Sequence, residues 1–101
     1  MIIYNVTIKV TYAIAAAWVK WMKEEHMGEL IATGLFTSSR LSRLLEQDET
    51  DGITYIAQYF CDSMEDYNDY LREHAPAMRE KGFKKFGNQM IAFRTVMQVE
   101  G

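Results

Sequence analysis

The chain has 101 residues, 49% of them hydrophobic and 13% aromatic, and its 11 lysines and arginines against 14 aspartates and glutamates leave a net charge of −3. That is material for one hydrophobic core and a single domain over residues 1–101, without the basic surface that gathers nucleic acid or an apolar run near the roughly 20 residues that cross a bilayer. The only cysteine, Cys61, precludes an intrachain disulfide and suits a reducing compartment, and the alternating N-terminus MIIYNVTIKV is unlike a secretion signal, so a cytoplasmic protein is expected, with neither nucleic acid nor membrane as partner.

Residues 2 to 12 read as a strand, with Ile2, Tyr4, Val6, Ile8 and Val10 on one face and Asn5, Thr7 and Lys9 on the other. From Ile14 the period becomes helical, and Ile14, Trp18, Trp21 and Met22 form one stripe. Continuing that helix would bring Glu25 and Glu29 into the stripe and swing Met27, Leu30 and Ile31 to the far side, so the spacing predicts a kink or a fresh short helix at His26 to Gly28, ending at Gly34. Phe36 to Glu46 reads as a second strand, and Gln47 to Gly52 as a hairpin connection into a third, Ile53 to Cys61. Asp62 and Glu65 suggest a capped start to a second helix with the stripe Met64, Tyr67, Leu71, Ala75 and Met78. Pro76 predicts a break at His74 to Pro76, with a further turn or two toward Gly82 and Phe83 and Phe86 closing the core. Gln89 to Val99 reads as the last strand.

The order is βαββαβ, the ferredoxin-like α+β arrangement of a four-stranded antiparallel sheet with two helices on one face. Its second face has no cover, and in ITYIAQYFC neither face is polar enough to sit comfortably in water, so a homodimer packed sheet on sheet, a dimeric α+β barrel, is expected. The fold also serves RNA recognition, but that third strand is uncharged, whereas an RNA-binding sheet needs basic and aromatic side chains there.

The runs MIIYNVTIKV, W..WM..EH, ATG.FTS.R, QYF, HAPAMRE, FG and AFRT, in this order across essentially the whole chain, resemble the bacterial family called domain of unknown function 4286. The resemblance implies a dimeric α+β barrel and no established activity. Where it implies His-Ile-Pro-Glu after the first helix, this chain has His26, Met27, Gly28 and Glu29, a corner that glycine turns but does not lock.

A cavity between two facing sheets would be lined by their open faces. Asn5 lies there by parity, and so does Arg94, because the odd positions of the last strand are the apolar ones and are expected to meet the helices; Arg40 and Gln58 join in one of the two parities open to the middle strands. Arginine forks hold carboxylates bidentately, so Asn5, Arg40, Gln58 and Arg94 point to a small acidic organic ligand; the competing expectation is that both arginines pair with acids across the interface. His26 can serve as a corner residue or as an acid or base at the cavity mouth; with only Glu29 beside it, it lacks the ligand number of a metal site, and no metal or cofactor is expected. His74, before Pro76, fits the edge of the core and stands as a second catalytic candidate, with Asn5 a third. The expected functions are a small-molecule-binding dimer, a cofactor-independent monooxygenase-like or isomerase-like enzyme of the same fold, or a structural, partner-binding dimer.

Overall fold

The computed structural model describes residues 1–101. Four strands, β1 (Ile2–Val10), β2 (Ser38–Arg43), β3 (Ile53–Cys61) and β4 (Met90–Gln98), form one antiparallel sheet in the order β2-β3-β1-β4. Helical segments α1 (Tyr12–Trp21), α2 (Met27–Ala32), α3 (Met64–Glu73) and α4 (Ala75–Phe86) complete the ferredoxin-like α+β order.

β1 alternates as its sequence requires. Its even residues are buried in the core beneath the helices, and Val10 is fully so. The strand stops at Val10 because Thr11 becomes the extended residue that precedes α1. Gly52, arriving from the other side, leaves no room there: a Cβ on it would lie 2.2 Å from the Val10 carbonyl oxygen.

The expected break near His26 takes the form of a fresh short helix that begins at Met27, and no residue leaves helical backbone to reach it. Trp21, Met22, His26 and Met27 all keep right-handed helical backbone angles, and α1 and α2 are joined by a π-helical segment, Met22–His26, in which the Met27 N–H bonds the Met22 carbonyl five residues back. At about 100° per residue an uninterrupted α-helix would carry Leu30 about 120° from Trp18; one surplus residue returns it to within about 20°. Met27 and Leu30 are accordingly buried, Leu30 at 1% exposure. Gly34, with φ of 81°, ends the unit in the left-handed region.

The second strand is shorter than its sequence suggests, because Phe36 leaves the sheet to stack beside Tyr4 and Tyr70 under the helices. The cap of α3 is Ser63, whose hydroxyl accepts the Asp66 N–H at 3.2 Å, and not Asp62. Tyr70 is the buried anchor of α3, while Met64, expected in its stripe, is 43% exposed. The break falls at His74, as the proline requires, but α4 then runs on to Phe86. Phe86 is buried; Phe83, expected in the core, is 65% exposed.

The main correction concerns β4. Its odd residues Ile91 and Phe93 pair with Lys9 and Thr7 on the open face, where Phe93 is 69% exposed. Its even residues Met90, Ala92 and Arg94 pair with Val10, Ile8 and Val6 and so share the face that the helices cover. The more apolar side of this strand is the one turned away from the protein's own core.

Candidate functional site

The open face and the helix-covered face divide the expected site between them. On the open face, cross-strand pairing puts Arg40, Gln58, Asn5 and Thr95 in one row. The Asn5 amide donates to the hydroxyls of Thr7 and Thr95, each at 3.3 Å, and its oxygen accepts from the Gln58 amide at 3.3 Å. Asn5 is the only buried polar residue of the chain, and its own sheet already takes up most of its bonding capacity. Arg40, at the edge of the row, forms no ion pair, since the guanidinium bridges lie at Arg43–Glu49, Arg72–Asp69 and Arg72–Glu73. Ser42, Ile56, Thr7 and Phe93 form the adjacent row, and no acid occupies this face of the sheet.

Arg94 is not with them. Paired with Val6, it lies on the helix side, where a cavity of about 70 Å³ opens between the sheet and helices α1 to α4. The walls are apolar in the middle, with Val6, Ile8, Trp18, Leu30, Ala57 and Ala92. Polar groups sit toward the ends. Tyr4, Tyr59 and Tyr70 cluster beside Phe36, with Tyr4 and Tyr70 ring centroids 5.5 Å apart. Burial raises the Tyr59 and Tyr70 hydroxyls well above the usual phenol range and keeps them protonated; at Tyr70 the neighbouring Tyr4 acts the same way, and the charges of Arg79 and Arg94 partly oppose it. Arg79 and Arg94 are both exposed at the mouth of the cavity, and neither has an acidic partner.

His26 also lines this cavity, carried there by the π segment. Its ring stacks on Trp21 at 4.3 Å and 17°, and Trp21 in turn meets the edge of Phe86 at 5.4 Å. Nδ1 is buried without a hydrogen-bond partner and lies 3.8 Å from Glu29 Oε1, too far to bond. Burial is the first cause that pushes the imidazole down to about 4; the Glu29 charge opposes this and the Lys81 charge assists it. Glu29 is itself held by Lys81. The imidazole is thus neutral at ordinary pH, and it does not cap the helix. His74 is elsewhere, stacked over the Tyr70 ring at 6.3 Å, half-buried at the α3–α4 break and outside the cavity lining. No three His, Cys, Asp or Glu side chains converge as a metal site would require.

Of the residues singled out in the sequence, Asn5, Gln58 and Arg40 share one surface, and Arg94 and His26 share the cavity on the other. Arg79, Tyr4 and Tyr59 were not singled out. The available signal was the presence of hydroxyl-bearing Tyr, and not Phe, at Tyr4 and Tyr59, positions whose strand parity already pointed inward.

A family model described as "Domain of unknown function (DUF4286)" matches residues 1–100. No curated protein matches the chain. Among solved structures, an antibiotic biosynthesis monooxygenase-type protein from Deinococcus radiodurans superposes with a TM-score of 0.69 at 14% identity, covering 100% of this chain and 94% of that one. An ethyl tert-butyl ether D (EthD) family protein from Bacillus halodurans gives 0.68 at 12% identity over 99% and 100%. A dimeric ferredoxin-like protein from an uncultured marine organism gives 0.63 at 16% identity over 100% and 96%. At these identities the likeness is one of fold.

Proposed function

This chain belongs to the DUF4286 family of unknown function, and we propose that it is a cytoplasmic homodimer that binds a small organic acid, one molecule per subunit, between sheet and helices. The observation that carries the reading is the pair of guanidiniums, Arg79 and Arg94, without acidic partners at the mouth of an apolar cavity beside a buried phenol. A guanidinium fork is suited to a carboxylate, and an apolar recess with few converging polar groups is the usual form of a small-molecule site. The site therefore moves from the space between two sheets, where the alternation of β4 had suggested it, to the helix side.

Assembly is supported by the open face. Three strands of nine residues and one of six, spaced about 4.8 Å, present roughly 500 Å² per copy, or about 1,000 Å² in a face-to-face pair, the size at which an interface becomes specific. Phe93 and Ile91, 69% and 61% exposed, would be covered by such a pair. The description of the marine relative as dimeric agrees with this.

Native mass spectrometry on gently purified protein reads subunit number and retained ligand together. The reading expects two chains with a small adduct, and loss of that adduct without loss of the dimer in Arg94→Gln. Dissociation of the dimer in that variant would make Arg94 an interface residue and overturn the reading. A second reading, a cofactor-independent monooxygenase-like or isomerase-like enzyme, is favoured by the neutral His26 on the cavity wall, a group able to accept a proton.

A further inference from the structure

Arg79 and Arg94 supply the only charges in the lining of the cavity; His26 is neutral and lies flat against Trp21. Arg79 comes from α4 and Arg94 from β4, yet the two converge on one end, since both charges act on the Tyr70 hydroxyl. From there inward the wall is largely hydrocarbon, with Val6, Ile8, Leu30, Met78 and Ala92. The enclosed space is about 70 Å³. An apolar cavity of about 150 Å³ takes up a benzene, roughly 25 Å³ per carbon, so this one holds roughly three carbons.

Gly82, Met90 and Trp21 close the inner end. Gly82 is buried on α4, one turn beyond Arg79 on the same side of the helix and about 4.5 Å further along its axis. Its backbone is not in the left-handed region, where Gly34 and Gly87 lie, and the interior of a helix is a poor place for glycine. What the position requires is the missing side chain. A Cβ there would lie 3.0 Å from Met90 Cε and 3.6 Å from the Trp21 ring, between two residues that themselves line the cavity, and would fill part of it. Building on the organic-acid reading of the cavity, we infer that the ligand is a short-chain aliphatic monocarboxylic acid of about four carbons, its carboxylate on Arg79 and Arg94 and its chain end against Gly82, which sets the length. Because both guanidiniums are exposed, only the chain has to enter the enclosed space. A second carboxylate or an ammonium on that chain would be buried among hydrocarbon without a partner, which excludes diacids and amino acids.

The saturated series from acetate to hexanoate, with butan-1-ol as the uncharged control, is titrated against the full chain by ligand-observed NMR. Affinity should rise about fourfold per added carbon from acetate to butanoate, the worth of a buried methylene, and fall at pentanoate and hexanoate. Gly82→Ala, in which only the flexible end of Met90 has to move, should leave acetate unchanged and bring the optimum down to propanoate. Met90→Ala, which clears the same wall from β4, should move the optimum up to pentanoate. If one variant fails to fold, the other reads the same wall, and the wild-type series decides the chain length without either. An affinity that climbs steadily through hexanoate would overturn the length limit and leave the acid site standing. An optimum at butanoate that neither variant moves would overturn the role of Gly82. Butan-1-ol binding as tightly as butanoate, or no binding by any of the acids, would overturn the acid site itself.

Discussion

A histidine buried without a hydrogen-bond partner makes the fold sensitive to acid. The His26 imidazole has an ordinary value of 6.5 and is pushed by burial to about 4, so the unfolded chain binds its proton at a higher pH than the folded one. The native state is therefore favoured fully above pH 6.5, and this contribution is lost as pH falls from there toward 4, by an amount on the order of 3 kcal/mol. Denaturant midpoints measured between pH 7 and pH 4 should fall more steeply in the wild type than in His26→Gln; parallel curves would show that the imidazole titrates freely. The position of His26 at a register break was legible in the sequence. Its lack of a partner was not, because the side chains that enclose it, Trp21 apart, come from α2 and α4 and meet it only in the folded chain.

Element by element, the strand and helix order followed from periodicity, and the misplaced side chains of β4, α3 and α4 share one cause: the assumption that the most apolar face of each element turns inward. In β4 that rule selects Ile91, Phe93 and Met97, all exposed in the single chain, over the face that carries Arg94. Phe83 and Met64 are misplaced for the same reason. The glycines allow a direct check at this scale. Gly28 lies inside α2 with nothing within 4 Å of an added Cβ, so Gly28→Ala should stabilise by about 0.5–1 kcal/mol and raise the melting temperature by a few degrees. Gly52→Ala places its Cβ against the Val10 backbone, which cannot move without breaking the sheet, and should cost about 2 kcal/mol or more in the same thermal assay. A stabilising Gly52→Ala or a destabilising Gly28→Ala would contradict the packing described around each.

At the scale of the whole molecule the chain is a slab, 38 × 31 × 19 Å, with helices on one broad side and bare sheet on the other. The bare side carries Lys9 and Arg40 as its only charges among apolar, hydroxyl and amide side chains, so a face-to-face partner would gain hydrophobic burial and no cross-interface acid on the sheet itself. Phe93→Asp puts two carboxylates into that contact. Sedimentation should show two chains for the wild type and one for the variant, with the thermal midpoint of the wild type alone rising with protein concentration. A wild type that sediments as one chain at all concentrations would contradict the assembly. That one side lacked cover was apparent from the βαββαβ order; which residues formed it depended on the parity of β4.

The π segment between α1 and α2 sets the phase of everything that follows it on that helix. Because the chain spends one residue more than an α-helical turn needs between Met22 and Met27, the first half of the helix presents its tryptophans and the second half its Met27 and Leu30 to the same core, and His26 falls at the seam between the two phases. The surplus residue is absorbed by the wide turn: shortening the segment by one would leave a continuous α-helix with Leu30 still about 20° from Trp18, whereas winding all its residues as plain α-helix would rotate α2 by about 100° and send Leu30 toward solvent. Residue count and helix phase are thus set apart from one another: the wide turn cancels the phase of the surplus residue, and what that residue leaves behind is the seam from which His26 meets the cavity.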